Sequence, residues 1–208
     1  MRASSVASRV VPVMLIRAFT TDSTGGWGAA FPILAPDPPV ITSEVTATTA
    51  AEMNAALEVA GRRIIVDGSW NDICAIKSSD HEIIIPAGRR IGFLGGGFFP
   101  HTTAVRRIRV RGSLDGLTRG GIVGNFGSSV LDGGDTPECT DVIFDGVDFD
   151  GDGGVFGKHW AFDTQCERMA IINCRALTGG YCFLGHARHL VIAGCSFRSS
   201  GADRDELS

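Results

Sequence analysis

The chain has 208 residues, a formal net charge of −4 at pH 7 and 28 glycines. The length is ample for one domain with a buried core, and the charge gives no global reason to expect nucleic acid as a partner. Because glycine is abundant and alanine- and lysine-rich stretches are few, we expect an all-β protein with many short strands and tight corners.

The first 46 residues are predicted to be a leader and linker, because they lack hydrophobic periodicity and are rich in Ser, Thr, Pro and Gly. An apolar run at residues 10 to 16 follows Arg9. This run is too short to cross a membrane, and it lacks the length and cleavage site of a secretory signal. We therefore expect no membrane partner and find no clear signal for export.

A short helix is predicted at the start of the β domain, which we place at residues 47 to 208. Thr49 and Glu52 have the spacing of a capping box, and Gly61 is a typical residue just past a helix end. Between them, apolar residues recur at helical intervals: Met53, Ala56, Leu57 and Ala60. A helix directly before the first strand indicates a cap over the first coil, since it would hide an open strand edge.

A strand-like phrase then recurs six times: an apolar residue, any residue, a second apolar residue, any residue, and a glycine or asparagine. The six copies begin at Ile64, Ile91, Ile108, Val142, Met169 and Leu190. Each copy puts two apolar side chains on one face of a strand, followed by a residue that tolerates left-handed backbone. Such spacing is typical of a solenoid in which each repeat is one coil, so we predict a parallel β-helix.

The later copies also predict a register. A shift of 21 residues places Met169 on Leu190 and Cys174 on Cys195, and a shift of 27 residues places Val142 on Met169 and Cys139 on Cys166. Like residues would then stack at inward positions of neighbouring coils.

Residues 48 to 200 resemble the pectate lyase family. Residues 63 to 68 (RIIVDG) resemble the first strand of that family, and residues 141 to 149 (DVIFDGVDF) resemble one of its later coils. The resemblance implies a right-handed parallel β-helix with a short N-terminal capping helix. It also implies calcium-assisted β-elimination on uronic-acid polymers such as pectate, and a secreted or cell-surface location.

Some family features are missing from this sequence. Residues 172 to 174 (INC) and 181 to 185 (YCFLG) stand where the family has its acidic strand end and its calcium carboxylates. The arginine that the family uses as base would lie in coils beyond residue 208. The resemblance therefore transfers no catalytic residue, and the C-terminal end at residue 208 is compatible with a truncated β-helix.

One strand presents a strip of arginines. Arg107, Arg109 and Arg111 alternate with Ile108 and Val110, so the arginines should point outward. Arg109 and Arg111 are candidate ligands for the carboxylates of an acidic polysaccharide, because guanidinium groups bind carboxylates bidentately. The alternative is that the arginines protect a strand edge and keep the protein soluble.

Three carboxylates at alternate positions precede a glycine: Asp148, Asp150 and Asp152. Calcium prefers clustered oxygen ligands, so these residues are the candidate metal site, with Ca²⁺ as the candidate cofactor. The alternative is a solvated acidic corner of the solenoid.

A second candidate substrate-binding group combines an aromatic side chain with cations and a carboxylate: Lys158, His159, Trp160, Asp163, His186 and Arg188. Such a group suits sugar stacking and acid–base chemistry, but it is equally typical of an ordinary loop. Asp163 is expected opposite Leu184, so the paired carboxylates of a glycoside hydrolase are not evident.

The six cysteines leave two alternatives open. Their even number permits disulfides, whereas Cys174 and Cys195 at one inward slot of adjacent coils favour stacked free thiols. No Cys-x-x-Cys spacing occurs.

Two functions are compatible with these residues. The first is a polysaccharide lyase-like protein that cleaves uronic-acid polymers. The second is a non-catalytic β-helix that binds glycans or is part of a surface structure or tail fibre. The expected partner in either case is an acidic polysaccharide, and the fold alone does not decide between them.

Overall fold

The computed structural model describes residues 35–70, 76–93, 104–115, 118–124, 131–132, 139–150, 162–178 and 184–197. All of them lie in one compact unit that extends from residue 34 to residue 208. One helix and fifteen strands occur in the described part: β1 Ser43–Ala47, α1 Ala50–Leu57, β2 Arg62–Val66, β3 His81–Ile85, β4 Arg90–Phe93, β5 Arg106–Gly112, β6 Leu114–Asp115, β7 Thr118–Arg119, β8 Gly121–Gly124, β9 Leu131–Asp132, β10 Thr140–Asp145, β11 Asp148–Asp150, β12 Phe162–Ile172, β13 Arg175–Thr178, β14 Leu184–Ala193 and β15 Ser196–Phe197.

The strands form two parallel sheets. The large sheet has the order β1-β2-β3-β5-β10-β12-β14, with β9 beside β12, and the small sheet has the order β15-β13-β11-β8-β4. Strands β6 and β7 form an antiparallel pair. The chain passes repeatedly from a strand of the large sheet to a strand of the small sheet, for example from β10 to β11 and from β12 to β13. The prediction of an all-β protein with parallel strands is therefore confirmed.

The predicted register of the later strands is also confirmed. Val142 pairs with Met169, and Met169 pairs with Leu190. An isolated parallel bridge joins Cys139 to Cys166. These pairs arise because a strand buried on one face can shift only by exposing its apolar side chains.

The core lies between the two sheets. One column of fully buried side chains crosses the large sheet: Ile64, Ile83, Val110, Phe144 and Ile171. The ring of Phe144 meets the ring of Phe149, which belongs to the small sheet, with the ring centroids 5.5 Å apart and an edge-to-face orientation. Each buried side chain of this kind contributes roughly 1.5–3 kcal/mol to the free energy of unfolding.

One predicted repeat copy belongs to the other sheet. Ile91 pairs with Ile122 in the small sheet. The corresponding place in the large sheet is taken by β3, where Ile83 pairs with both Ile64 and Val110. Apolar spacing identified Ile91 as part of a repeat strand but not the sheet to which it belongs, because strands of both sheets alternate apolar and polar residues.

The glycines and asparagine at the ends of the repeats have two different roles. Gly146, Asn173 and Gly194 have φ values of 68°, 54° and 64°, as the left-handed interpretation predicts. Gly68 and Gly112 are not left-handed, and a Cβ atom at either position would overlap a carbonyl oxygen, that of Thr48 or Gly146 respectively. At these two positions glycine is required by close backbone approach. Gly95 lies outside the described residues.

The helix begins as predicted and ends earlier. The Thr49 side chain accepts a hydrogen bond from the Glu52 backbone N at 3.3 Å, and the Glu52 carboxylate accepts one from the Thr48 backbone N at 2.7 Å. These bonds satisfy N–H groups that have no partner within the helix. Helix α1 ends at Leu57, three residues before the predicted Ala60. Gly61 then adopts a left-handed φ of 78°.

The first described strand begins at Ser43, before the predicted domain start at residue 47. Strand β1 pairs with β2, with Val45 opposite Ile64. We call residues 37 to 42, which precede this strand, the strap. The strap is bound to distant residues: the backbone N of Asp37 donates to Asp141, and that of Val40 donates to Asp80, each at 2.9 Å. The composition of this segment predicted a linker, because local composition does not reveal contacts to carboxylates far away in the sequence.

Candidate functional site

A buried carboxylate on the outer face of the large sheet is surrounded by three arginines. Glu82 lies between inward-facing His81 and Ile83 in β3, so its side chain points away from the core. Strand register places Glu82 opposite Arg63 on one side and opposite Arg109 on the other. We call Arg63, Arg109 and Arg111 the arginine trio.

The trio shares the single Glu82 carboxylate unequally. Arg63 Nε donates to Glu82 Oε2 at 2.7 Å, whereas the Nη1 atoms of Arg111 and Arg109 lie 3.4 Å and 4.0 Å from Oε1. Glu82 is only 7% exposed, while the side chains of Arg63, Arg109 and Arg111 are 41%, 29% and 46% exposed. Solvent therefore contacts the guanidinium groups much more than the carboxylate that holds them.

The charges around Glu82 set its protonation. Burial alone would raise the pKa of Glu82, but the hydrogen bond from Arg63 and the positive charges of the trio lower the pKa below its usual value. The cluster is closed on both sides by further carboxylates. Glu44 lies 3.4 Å from Arg63, and Asp145 accepts a hydrogen bond from Arg109 at 2.9 Å.

Arg107 has a different partner from Arg109 and Arg111. Its φ is 55°, which turns the start of β5, and its guanidinium binds Asp80 through Nε–Oδ1 and Nη2–Oδ2 hydrogen bonds of 2.5 and 2.7 Å. The Arg107 side chain is 25% exposed and its charge is paired with Asp80, so it offers a ligand less than Arg109 and Arg111 do.

Arg107 is part of a column of ion pairs along the starts of the strands of the large sheet. We call Asp80, Arg107, Asp141 and Arg168 the strand-start column. Arg168 Nη2 donates to Asp141 Oδ2 at 2.6 Å, and the strap's Asp37 carboxylate lies 3.5 Å from Arg168. The hydrogen bond from Arg107 lowers the pKa of Asp80, and the bond to Asp141 raises the pKa of Arg168.

Three residues of this region have left-handed backbone although they are not glycine. Asp80, Arg107 and Asp141 have φ values of 66°, 55° and 62°. Conformations of this kind cost roughly 1–3 kcal/mol and persist only where the surroundings hold them in place. The sequence shows a charged residue, aspartate or arginine, directly before the first inward residue of each of these strands. That the aspartates of one coil would pair with the arginines of the next was not predicted.

The candidate calcium ligand Asp148 is used in a salt bridge. Arg175 Nε and Nη2 donate to its two carboxylate oxygens at 2.7 and 2.6 Å, and Arg90 Nη2 lies 3.7 Å away. Asp148 is 1% exposed. Gly121 makes room for this arrangement, since a Cβ atom there would overlap the guanidinium of Arg90. Two arginines beside a buried carboxylate disfavour a divalent cation, so Asp148 does not fit the predicted calcium site.

The other candidate metal ligands are not placed. Asp152 and the side chain of Asp150 lie outside the described part of the chain. Within the described residues, no group of three or more His, Cys, Asp or Glu side chains could hold a metal ion.

The second candidate substrate-binding group is described only in part. Lys158, His159 and Trp160 lie outside the described residues, and Asp163, His186 and Arg188 are described as backbone in β12 and β14. Asp163 is opposite Leu184, as predicted, and Gln165 is opposite His186. Asp163 and His186 therefore occupy neighbouring strands, two positions apart in register.

The described cysteines are free thiols: Cys139, Cys166, Cys174 and Cys195. Burial raises the pKa of Cys139 to about 11 and the pKa values of Cys166 and Cys174 to about 12. These three thiols are therefore poor nucleophiles and pack as small apolar side chains. The stacked-thiol alternative is confirmed for this set, and Cys74 and Cys182 lie outside it.

A partly buried serine is paired with a buried histidine, and this pair was not predicted from the sequence. Ser78 Oγ lies 2.8 Å from His81 Nε2 and also donates to the Leu57 carbonyl oxygen at 2.8 Å. Burial lowers the pKa of His81. Because His81 is fully buried and the serine proton is held by a carbonyl, this pair joins the end of α1 to β3 and does not form an accessible nucleophile.

Neither a membrane-spanning helix nor a known relative points to a function for the described residues. In the part of the chain that the structure describes, no helix is long and apolar enough to cross a membrane. Comparison of the chain with protein-family models, with curated proteins and with solved structures finds no match in any of the three.

Proposed function

We propose that the described strands form a right-handed parallel β-helix of the pectate lyase-like type, with α1 as its N-terminal cap. The repeated passage between two parallel sheets and the coil-to-coil register support this fold. Met53 and Leu57 of α1 are fully buried in the same core cluster as Ile64 and Val66 of β2. A helix in that position covers apolar side chains that the first coil would otherwise expose.

We further propose that the protein binds acidic polysaccharides of the uronic-acid class through the arginine trio. The observation that carries this proposal is that three partly exposed guanidinium groups lie within 4.0 Å of one buried carboxylate, Glu82, on one face of the large sheet. A guanidinium has five N–H donors in a planar fork, so a single contact to Glu82 leaves donors for a second carboxylate. Prior fixation of these side chains also reduces the entropy lost on binding.

The flanking carboxylates limit the strength of a single contact. Glu44 and Asp145 compete for Arg63 and Arg109, whereas Arg111 is the most exposed member of the trio and lies within 4.0 Å of Glu82 alone among the described carboxylates. We expect weak binding of one uronate and stronger binding of a polymer, because a linked second group binds at a high effective concentration.

Affinity gel electrophoresis tests this proposal. Migration of the protein should be retarded by polygalacturonate in the gel and unaffected by a neutral galactan. Arg111→Ala should weaken the retardation about tenfold, as expected for a hydrogen bond to a charged group. Arg89→Ala is the matched control, since Arg89 is equally exposed and bonds only Asp67 among the described carboxylates. Equal retardation of both variants would contradict the proposal.

Cleavage of the same polymer by β-elimination is the second candidate function. It is favoured by the resemblance of residues 48 to 200 to the pectate lyase family and by Asp163 and His186 on neighbouring strands. Calcium would neutralise the uronate carboxylate in such a reaction, but Asp148 does not fit as its ligand because Arg175 occupies both of its oxygens. Ultraviolet absorbance of the unsaturated product on polygalacturonate, with calcium and then with chelator, decides between binding alone and lyase activity.

A further inference from the structure

A surface depression opens where three strands of the large sheet begin. It has a volume of about 350 Å³ and is lined by Ser79, Ala104, Val105, Arg106 and Thr140. Arg106 pairs in register with Thr140. The Arg106 backbone N donates to the Ser79 hydroxyl at 3.1 Å, and the Thr140 backbone N donates to the Val105 carbonyl at 3.1 Å. The rim of the depression is therefore held by hydrogen bonds between strands.

Left-handed residues lie directly behind this rim. Asp80, Arg107 and Asp141 each follow one of the rim residues Ser79, Arg106 and Thr140, and all three have positive φ. The three left-handed residues thus lie on adjacent strands, next to the same depression. Backbone strain of this kind concentrates where a protein binds or reacts.

Arg106 differs from its neighbours in how its charge is compensated. Arg107 and Arg168 each contact both oxygens of an aspartate in the strand-start column. Arg106 is exposed and has no carboxylate within 4.0 Å among the described residues. Asp80, whose pKa Arg106 helps to lower, is already bonded by Arg107 and by the Val40 backbone N. Arg106 is thus the uncompensated cation of this region.

We propose that this depression binds the carboxylate of an acidic sugar, with Arg106 as the charged partner and the Ser79 and Thr140 hydroxyls as further donors. The identity of the ligand as a uronate rests on the proposed function. The Arg106 guanidinium can donate two hydrogen bonds to a carboxylate, and hydroxyl groups beside it can donate to the carboxylate or to sugar oxygens. Ala104, which is exposed, supplies apolar surface for the carbon face of the ring. This subsite is separate from the arginine trio, since Arg106 and Arg111 occupy opposite ends of β5.

Trigalacturonate titrated into the whole protein, followed by calorimetry and by the side-chain Nε–H signals of ¹⁵N-arginine, tests the proposal. The Arg106 signal should shift, and Arg106→Ala should raise the Kd of this ligand about tenfold or more. Arg106→Lys should recover part of the affinity, because lysine keeps the charge without the planar fork. Ser79→Ala and Thr140→Val should each weaken binding by a smaller factor.

Control variants and ligands separate this subsite from its alternatives. Arg111→Ala should weaken retardation by the polymer but leave the Arg106 signal shift intact, so failure of the trio proposal and failure of the subsite are distinguishable. Equal Kd values for wild type and Arg106→Ala would overturn the subsite. Galactose binding as tightly as trigalacturonate would also overturn the subsite, because the carboxylate would then play no role. Inorganic phosphate binding as tightly would overturn it too, because the depression would then be a general anion site.

Discussion

The arginine trio and the strand-start column both hold arginines against carboxylates of low exposure, and they differ in how the carboxylate oxygens are shared. In the column, each arginine contacts both oxygens of its own aspartate, at 2.5 to 2.7 Å. In the trio, three guanidinium groups share Glu82 at 2.7, 3.4 and 4.0 Å. An arginine bonded to both oxygens of one carboxylate stabilises the fold and has few N–H donors left for a ligand. Arginines that share one carboxylate keep more N–H donors free. Three predictions test this distinction, and a fourth concerns the buried His81.

The largest effect is expected when a carboxylate of the column is removed. Asp141→Ala leaves Arg168 without its main partner and the Asp37 backbone N without its acceptor. Since the Asp141 side chain is only 3% exposed, we expect the free energy of unfolding to fall by about 3 kcal/mol. Urea denaturation measures this change. Asp145→Ala, which removes a more exposed partner of Arg109, is the control and should cost far less. Equal losses would refute the distinction between the two regions.

The stability of the protein should depend on pH in two ranges, one set by His81 and a lower one set by the carboxylates of the trio and the column. Burial lowers the pKa of His81 in the folded state, so the unfolded chain takes up a proton first as the pH falls. Stability should therefore decrease below about pH 6.5, by at most about 1.4 kcal/mol per pH unit. His81→Gln should remove the dependence in this range. A wild-type stability that stays constant down to about pH 5 would show that His81 is protonated equally in both states.

The carboxylates respond at lower pH. The pKa values of Asp80 and Glu82 are lowered in the folded state, so their contribution is present above their unfolded pKa values, about 4, and is lost as the pH falls further.

Neutralising the shared carboxylate should have an intermediate effect. Glu82→Gln keeps the shape of the side chain but leaves the three guanidinium groups without their central charge. We expect a loss of about 1–2 kcal/mol, which thermal or urea denaturation can measure. Added salt should reduce this difference, because it screens repulsion among the exposed arginines. A loss as large as that of Asp141→Ala would mean that the trio is mainly structural.

The smallest effect is expected at the strap. Asp37→Ala removes an exposed carboxylate 3.5 Å from Arg168 but keeps the backbone hydrogen bond to Asp141. Exposed ion pairs of this kind contribute about 0.5 kcal/mol or less. Hydrogen exchange of the Asp37 and Val40 amides provides a second measurement, and both amides should stay protected in the variant. Loss of that protection would show that the carboxylate, not the backbone, holds the strap.

Hydrophobic periodicity was enough to predict which residues stack in the later coils. The pairs Val142–Met169 and Met169–Leu190 follow from apolar spacing, because a one-residue shift would turn the whole apolar face of a strand to solvent. The start of α1 was likewise predictable, since the capping contacts of Thr49 and Glu52 are local. Both predictions use interactions whose geometry depends on short-range spacing.

Periodicity could not assign a strand to one sheet or the other. Ile91 and Ile83 have the same alternating surroundings, and only the pairing of Ile91 with Ile122 places it in the small sheet. Periodicity also could not predict which charged residues pair with each other. Asp148 looked like a metal ligand as long as Arg175 was known only as a residue 27 positions later.

The sequence by itself determined that this chain is all-β, that its later strands stack in a defined register and where its helix starts. Tertiary structure decided which charges are satisfied: Asp148 by Arg175, Asp141 by Arg168 and the strap, and Glu82 by three arginines at once. The physical reason is the range of each interaction. Apolar burial acts on every residue of a strand and leaves a periodic trace, whereas an ion pair depends on one partner that only the folded coils bring within reach.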